Sequence, residues 1–194
     1  MKMKTNRTLI LNTLLIVIFY SCTPENPTPN PTPTTLSIGQ IYQGGKIAYI
    51  DASGLHGLIA APSDQEQAPW GCAGTSSGGA IATAIGYGSS NTIYIMNSCS
   101  QGGIAARLCG DLVLGGYSDW YLPSKDELNQ LYINRVAIGG FATNPEEAFY
   151  WSSSEYLEGI VPYLYSWEQN FASGGQYNDG DKSNICKVRA VRSF

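Results

Sequence analysis

Histidine is almost absent from this 194-residue chain, which contains one, His56. Structural zinc sites are built from clustered cysteines and histidines, commonly with a C-x-x-C pair. The five cysteines include no such pair, so the sequence gives no basis for a zinc site and we predict no metal cofactor. We assign His56, in a His-Gly pair beside a predicted turn, a structural hydrogen-bonding role.

The same scarcity argues against a serine hydrolase. Residues 74–78 read Gly-Thr-Ser-Ser-Gly and match the G-x-S-x-G nucleophile elbow. A hydrolase of this type needs a buried strand before the elbow, a helix after it, and a histidine later in the chain. His56 lies upstream, so we interpret the motif as a Gly/Ser loop. No reactive cysteine pair or copper-ligand set is specified either, and we predict that the protein is not an enzyme.

Basic residues are also few. The chain has 11 Lys and Arg against 15 Asp and Glu. Three basic residues and no acidic ones lie in the first 21 positions, so the remainder carries eight basic and fifteen acidic side chains, a balance of −7. Nucleic acids and sulfated polysaccharides are bound mainly by neutralising their negative charge. We therefore predict no nucleic-acid partner.

The N-terminus has the layout of an export signal. Lys2, Lys4 and Arg7 precede an apolar run over residues 9–20, which is shorter than the roughly 20 residues of a membrane-spanning helix. Ser21 and Cys22 follow, and a cysteine directly after such a run resembles a bacterial lipobox. We predict a lipoprotein signal peptide at 1–21 and lipidation of Cys22. An ordinary cleaved signal and an uncleaved anchor are the alternatives.

Residues 22–35 alternate proline with small polar residues. Such a run cannot form a helix or a sheet ladder, because proline fixes φ and lacks an amide hydrogen. We predict an extended tether here, followed by one globular domain at 36–194. The expected location is the bacterial cell envelope, at the outer membrane or cell surface, with membrane contact only through the lipid.

Four cysteines remain in the predicted domain: Cys72, Cys99, Cys109 and Cys186. An even number in an exported chain indicates two disulfides, although four cysteines allow three pairings. We favour Cys72–Cys99 and Cys109–Cys186.

The hydrophobic pattern predicts an α+β domain. Residues 41–50 and 56–61 are typical of a hairpin, and residues 149–153, 164–171 and 186–192 of strands. Helical spacing over residues 104–112 predicts one helix, and a capping box at Ser124 and Glu127 begins a second. We expect a long Gly/Ser-rich loop region at 71–103.

Several sequence blocks carry a family resemblance. They are residues 45–51, 56–58, 103–109, 116–128, 150–155, 187–192 and the pair Trp167 and Phe171. These blocks resemble the C-terminal domain of the Legionella collagen-like adhesin, the domain-of-unknown-function family 1566. Such domains are similar to the C-type-lectin-like fold and its formylglycine-generating-enzyme branch. The resemblance implies two helices, a small mixed or antiparallel sheet and long binding loops.

The resemblance also implies adhesion to a glycan or protein ligand, and the founding member is associated with sulfated glycosaminoglycans. This chain departs from that member because it has no collagen-like stalk and is acidic. Members of the fold branch also include variable proteins of diversity-generating retroelements, which we keep as an alternative. An enzyme or a structural surface component on the same fold are others, and the oligomeric state is left open.

The conserved-looking blocks and the segment between them suggest two sets of residues. A structural signature is expected at Trp120, Pro123, Ser124, Glu127, Trp151, Arg189 and Arg192, with the arginines paired to carboxylates such as Asp119 or Glu127. The ligand-binding candidates are Tyr156, Tyr163, Tyr165, Trp167, Asn170, Tyr177, Asn178 and Asp179, which mix aromatic and small polar side chains as paratopes do. Residues 178–184 are interpreted as a solvated turn, with a calcium site as the alternative.

Overall fold

The computed structural model describes residues 35–158 and 163–194. The predicted signal peptide, Cys22 and all of the predicted tether except Thr35 lie outside the described residues. Within the described part of the chain, no helix has the length and apolar character needed to cross a membrane.

Helices and strands both contribute to the described domain, which confirms the α+β class. The strands are β1 (Ile41–Tyr42), β2 (Gly45–Ile50), β3 (Gly57–Ala60), β4 (Ala68–Pro69), β5 (Phe149–Tyr156), β6 (Tyr165–Asn170), β7 (Gln176–Asp181), β8 (Ile185–Cys186) and β9 (Val191–Ser193). The helices are α1 (Gly88–Ser98), α2 (Ala105–Gly110), α3 (Lys125–Ile133) and α4 (Arg135–Ile138).

The first sheet has the antiparallel order β1-β2-β3-β9 and contains the predicted hairpin. Gln43 and Gly44 join β1 to β2 with φ of 44° and 87°, the left-handed conformations that a tight hairpin turn requires. Gly45 follows, and a side chain there would meet the Ala60 carbonyl oxygen 2.3 Å away. The sheet therefore joins the first and last strands of the described domain.

The second sheet has the order β5-β6-β7, also antiparallel. Both pairings contain a register shift, and β6 is the central strand. Consecutive side chains of a strand point to opposite faces, so Trp167 and Glu168 on β6 define two different surfaces. Strands β4 and β8 form a separate pair.

The core is built around the tryptophans of the predicted signature. Trp120 and Trp151 are 2% and 0% exposed, which confirms their assignment to the interior. The N–H group of each indole has a hydrogen-bond acceptor. Trp151 Nε1 donates to the Ala68 carbonyl at 2.9 Å, and Trp120 Nε1 donates to the Leu114 carbonyl at 3.3 Å. Buried polar groups need such partners. The Trp151 bond joins β5 to β4, 83 residues earlier in the chain, whereas the Trp120 bond is local.

Helix α3 begins at the predicted capping box. The Ser124 amide donates to Glu127 Oε2 at 2.8 Å, and the Glu127 amide donates to Ser124 Oγ at 3.3 Å. Leu128 and Leu131 are buried on its inner face. The sequence prediction is confirmed here because capping chemistry and apolar spacing agree.

Helix α1 lies within residues 71–103, which the sequence predicted as a loop region, and that part of the prediction is wrong. The helix has no side-chain cap and buries mostly polar or small residues, including Asn91 and Thr92. Its exposed face carries Ile93 and Tyr94, at 57% and 47% exposure. Large apolar side chains lie on the exposed face of α1 and polar ones on the buried face. The sequence therefore lacks the apolar stripe by which an amphipathic helix is recognised.

Of the two predicted disulfides, Cys72–Cys99 is confirmed, with a Cα–Cα distance of 5.8 Å. The Cys109–Cys186 bridge is a wrong prediction, since both thiols are free and buried. Cys109 packs in the core from α2, whereas Cys186 Sγ donates a hydrogen bond to Glu168 Oε2 at 3.3 Å. Each thiol has a packing role without a disulfide.

Candidate functional site

Two of the predicted ligand-binding residues form an aromatic corner at one end of the second sheet. The rings of Tyr156 on β5 and Trp167 on β6 meet edge to face, with centroids 5.8 Å apart. Lys125 at the start of α3 places its Nζ 4.8 Å from the centre of the Trp167 ring. Both rings are half-buried, so each keeps part of its surface available to a ligand.

This corner opens into a cleft of about 340 Å³, which we call the aromatic cleft. It is lined by Ile81, Glu155, Tyr156, Leu157, Glu158 and Trp167. Apolar walls with a few polar groups are typical of sites for small ligands and sugar rings.

A buried ion pair supports the cleft from below. The Lys182 ammonium group bonds to Glu155 Oε1, and both side chains are almost fully excluded from solvent. Lys182 Nζ also donates to the Thr75 carbonyl at 3.1 Å and lies 4.5 Å from the centre of the Trp70 ring. Burial lowers the pKa of Lys182, while its bond to Glu155 acts in the opposite direction.

Glu155 is also held from the other side. Its Oε2 accepts from the Ser77 hydroxyl at 2.5 Å and from the Ser77 amide at 3.2 Å. The network joins the segment after Cys72 to the ends of β5 and β7. Sequence reasoning missed Lys182, because a lysine within an Asn/Asp/Ser-rich stretch has the pattern of a solvated turn.

The opposite face of the second sheet has a different chemistry. A cleft of about 460 Å³, the acidic cleft, is lined by Gln67, Glu146, Glu147, Phe149, Glu168, Asn184, Ile185, Cys186 and Lys187. Burial, and secondarily the nearby Asp179 carboxylate, raises the pKa of Glu168, while the hydrogen bond from Cys186 opposes the shift. Tyr177 packs beside Phe149, with ring centroids 6.0 Å apart.

A third cleft, the terminal cleft, lies where the first sheet ends. It has a volume of about 320 Å³ and is lined by Tyr49, Asp51, His56, Gly57, Leu58, Ile85, Gly86, Ser193 and Phe194. Asp51 accepts hydrogen bonds from the Ser53 hydroxyl and amide, and these bonds, the hydroxyl first, lower the pKa of the carboxyl group. The cleft thus combines aromatic walls with an ionised carboxylate.

The family model of the Lcl C-terminal domain matches residues 72–192, more than half of the chain. The chain belongs to the Lcl C-terminal domain family. This membership identifies an adhesion-related surface domain. No curated protein matches the chain.

The matched range contains the aromatic corner, the disulfide and the Lys182–Glu155 pair. Strands β1, β2 and β3 precede it, although they share a sheet with β9. The terminal cleft is therefore made jointly by the Lcl domain region and by the preceding hairpin.

The arginines of the predicted signature lie in the interior of the first-sheet region. Arg192 pairs with Asp119 through two bonds of 2.7 and 2.8 Å, as the sequence suggested. Arg189 instead donates to Asp64 at 2.7 Å and to the Gly140 carbonyl at 2.6 Å. Asp64 was missed because it lies far away in sequence, in a segment with no distinctive pattern.

Glu127 has a purely structural position within the Lcl domain. Its carboxylate accepts from the Ser124 and Gly86 amides, both at 2.8 Å, and lies fully buried. Burial raises its pKa, although these hydrogen bonds oppose the shift. Glu127 therefore ties the start of α3 to the loop before α1, and neither arginine is its partner.

The other ligand-binding candidates are not gathered with the aromatic corner. Asn170 is 5% exposed, and its Oδ1 accepts from the Ala172 and Ser173 amides at 3.0 and 3.1 Å, which is a turn-forming role. Tyr165 pairs across the strands with Tyr156 but does not line the aromatic cleft. Exposed Tyr163 precedes β6, also outside the lining.

Residues 178–184 were predicted to be a solvated turn, and this is wrong for 178–181, which belong to β7. The turn itself is confined to residues 182–184, where Ser183 and Asn184 are exposed. Asn178 and Asp179 lie on β7 at its register shift, with Asp179 exposed and Asn178 half-buried. Tyr177, 42% exposed, belongs to the acidic side of the sheet with Phe149. Among the described residues, no group of three or more His, Cys, Asp and Glu side chains is placed to hold a metal ion.

Proposed function

We propose that this chain is a lipid-anchored protein of the bacterial cell envelope whose Lcl domain binds a glycan or protein ligand at the aromatic cleft, without chemistry. One observation carries the placement of the site. Of the four tryptophans, Trp70, Trp120 and Trp151 are at most 2% exposed, whereas Trp167 is half-buried beside Tyr156. An aromatic pair left at a cleft mouth supplies rigid contact area for a sugar ring or an apolar side chain.

The state of the free thiols supports binding rather than thiol chemistry. Burial raises the pKa of both Cys109 and Cys186, and at Cys186 the Glu168 carboxylate adds to the shift. A nucleophilic cysteine needs the opposite environment, because the thiolate is the reactive form. These thiols fit packing roles in the frame that carries the cleft.

A lectin-like fold and membership of the 1566 family are part of this proposal. The arrangement that supports them is the pairing of β1, β2 and β3 with β9, which brings the beginning and the end of the described domain into one sheet. The lipid anchor rests on the sequence around Cys22, and intact-mass measurement of the membrane-extracted protein tests it. An unmodified Cys22 or an uncleaved signal would remove the anchor from the proposal.

The binding proposal is tested on a glycan array with and without calcium, comparing the unmodified protein with Trp167→Ala and Tyr177→Ala. Tyr177 is the matched control, because it is an exposed aromatic residue of the same sheet on the acidic side. We expect Trp167→Ala to weaken binding on the order of tenfold, the scale of a hot-spot residue. We expect Tyr177→Ala to leave binding unchanged, with unfolding midpoints measured for both variants.

Binding that survives Trp167→Ala but is lost in Tyr177→Ala would move the site to the acidic cleft. If neither substitution changes the affinity, the second sheet is excluded as the binding surface. A requirement for calcium would contradict the prediction that no cofactor is needed.

A further inference from the structure

One long segment of the domain carries no charge. Residues 67–106 contain no Asp, Glu, Lys, Arg or His. The same chain has 15 acidic and 11 basic residues, all of them outside this segment. A surface built from it carries no side-chain charge of its own to attract or repel ions.

This uncharged segment supplies the loop that joins two of the clefts. Ile81 lines the aromatic cleft, and Ile85 with Gly86 lines the terminal cleft. Four residues span at most about 14 Å of extended chain, so the clefts are close together along this loop. Ile81, Ile85 and Tyr87 are 50%, 37% and 52% exposed and form what we call the apolar ridge.

The ridge is anchored along its length by α3 and α1. The Thr83 carbonyl accepts from the Asp126 amide at 2.9 Å, and the Ala84 carbonyl accepts from Ser124 Oγ at 2.9 Å. On the α1 side, Asn91 Nδ2 donates to the Ala82 carbonyl at 2.7 Å. Because its backbone is tied to two helices, the ridge presents exposed apolar side chains from a fixed position.

The charged groups at the two ends of the ridge are mostly carboxylates. Lys125, beside Trp167, is paired with Asp126 at 3.3 Å, and the imidazole of His56 also lines the terminal cleft. Glu158 is exposed at the aromatic cleft, and Asp51 lies in the terminal cleft. Glu155 contributes no free charge, since Lys182 neutralises it. Carboxylates repel a polyanion but accept hydrogen bonds from hydroxyl groups. Aromatic faces at both ends, Tyr156 with Trp167 and Tyr49 with Phe194, suit the flat faces of sugar rings.

We infer that the ligand is an extended, uncharged polysaccharide that runs from the aromatic cleft across the apolar ridge into the terminal cleft. The inference rests on the proposed function, because it takes the aromatic cleft as the binding site and adds a second subsite. Two linked subsites raise affinity only for a chain long enough to reach both. A short sugar would fill one cleft and gain nothing from the other.

The test measures Kd by calorimetry for ladders of uncharged glucan, mannan and xylan oligosaccharides, from dimers to octamers. Heparin and poly-lysine serve as charged comparators. We expect at least one neutral ladder to bind more tightly as its length increases, with a plateau once both clefts are filled. Heparin and poly-lysine are expected to bind more weakly than the longest neutral chains, with little change in the neutral binding when salt is raised.

Two variants separate this inference from the proposed function. We expect Ile85→Glu, at the terminal cleft, to reduce the affinity for long chains about tenfold, so that long chains no longer bind more tightly than short ones. Trp167→Ala should weaken the binding of both. Val136→Glu is the matched control, since Val136 is an 89% exposed apolar residue of α4 that lines none of the three clefts. It should change neither.

Three results would overturn the inference. They are an affinity independent of chain length, no binding of any neutral ladder, and tighter binding of heparin or poly-lysine. If a protein or charged ligand binds and Trp167→Ala abolishes that binding, the polysaccharide is excluded while the aromatic cleft is retained. If Trp167→Ala has no effect on any ligand, the proposed function fails as well.

Discussion

Buried basic side chains stabilise two regions of this domain, and they are neutralised in different ways. In the first-sheet region, Arg189 and Arg192 are buried but pair with Asp64 and Asp119, whose side chains are 21% and 58% exposed. Beneath the aromatic cleft, the side chains of Lys182 and Glu155 are 0% and 1% exposed. The arginine pairs reach water through their carboxylates, and the lysine pair does not.

The difference determines how much each pair contributes to stability. A carboxylate in contact with solvent is screened, so its pairing energy is small and falls with added salt. Arginine also distributes its charge over several bonds, as Arg189 does with the Ala61 and Gly140 carbonyls. The Lys182–Glu155 pair has no access to water, so neither charge can be solvated if its partner is lost. Removing one partner therefore leaves an unpaired charge in the interior.

The largest expected effect therefore comes from breaking the lysine pair. We expect Lys182→Met and Glu155→Gln each to lower the free energy of unfolding by about 3–5 kcal/mol, the cost of leaving one buried charge without its partner. Urea denaturation followed by tryptophan fluorescence measures this, since the centre of the Trp70 ring lies 4.5 Å from Lys182 Nζ.

The double variant Glu155→Gln/Lys182→Met completes the comparison. It removes both charges, so we expect it to recover much of the loss seen in either single variant. Effects that simply add in the double variant would contradict a coupled buried pair. Single variants that cost less than the arginine-region variant below would reverse the ranking of the two regions.

The sequence predicted one of these regions better than the other. Arg189 and Arg192 stand in a distinctive block of apolar residues, and their pairing with carboxylates such as Asp119 or Glu127 was expected. Arg192 does pair with Asp119. Lys182 stands among Asn, Asp, Gly and Ser residues whose composition is typical of a turn. The pairing of β6 with β7 is what brings this residue into the protein interior. Long-range strand pairing cannot be read from the local composition of a single sequence.

The candidate site likewise contains residues that the sequence predicted and residues that it missed. Tyr156 and Trp167 were predicted because exposed-looking aromatics in a polar stretch favour binding. Ile81 and Ile85 were missed, since the sequence gave no helix at α1 and therefore no fixed ridge before it. Asn170 was assigned to the site by composition, whereas its hydrogen bonds to Ala172 and Ser173 make it a turn residue.

A smaller effect is expected from Asp119→Asn in the arginine region. The Arg192 guanidinium lowers the pKa of Asp119 below its ordinary value of 3.8. A lowered folded-state pKa gives stability that is present above about pH 4 and is lost as the pH falls through the folded value. Because the carboxylate is more than half exposed, we expect Asp119→Asn to cost only about 0.5 kcal/mol at neutral pH.

The measurement is the unfolding free energy between pH 2 and 7, at low and at about 1 M salt. We expect the difference between the variant and the unmodified protein to shrink as the pH falls and as salt is added. A loss of unfolding free energy as large as that of Lys182→Met, or one unaffected by salt, would show that the Arg192–Asp119 pair behaves as a fully buried ion pair.

The smallest effect is expected at Glu168, and its sign is opposite. Burial raises the pKa of this carboxyl group above its ordinary value of 4.5, and Asp179 adds to the shift. A raised folded-state pKa gives stability that is fully present at low pH and is lost as the pH rises through the folded value. Glu168→Gln removes the charge, and its amide oxygen can still accept from Cys186 Sγ. We expect it to stabilise the protein at pH 7 by about 0.5 kcal/mol, within the usual range for a partly solvated site.

Asp179→Asn sharpens this last comparison, because it removes a repelling charge without touching Glu168. We expect it to reproduce part of the gain at pH 7, and the gain from Glu168→Gln to be smaller in its presence. Both gains should vanish near pH 4, where Glu168 is protonated in either state. A Glu168→Gln variant that is less stable at pH 7 would mean that contacts stronger than the single Cys186 thiol stabilise the carboxylate. The ionised Glu168 would then not lower the stability of the protein.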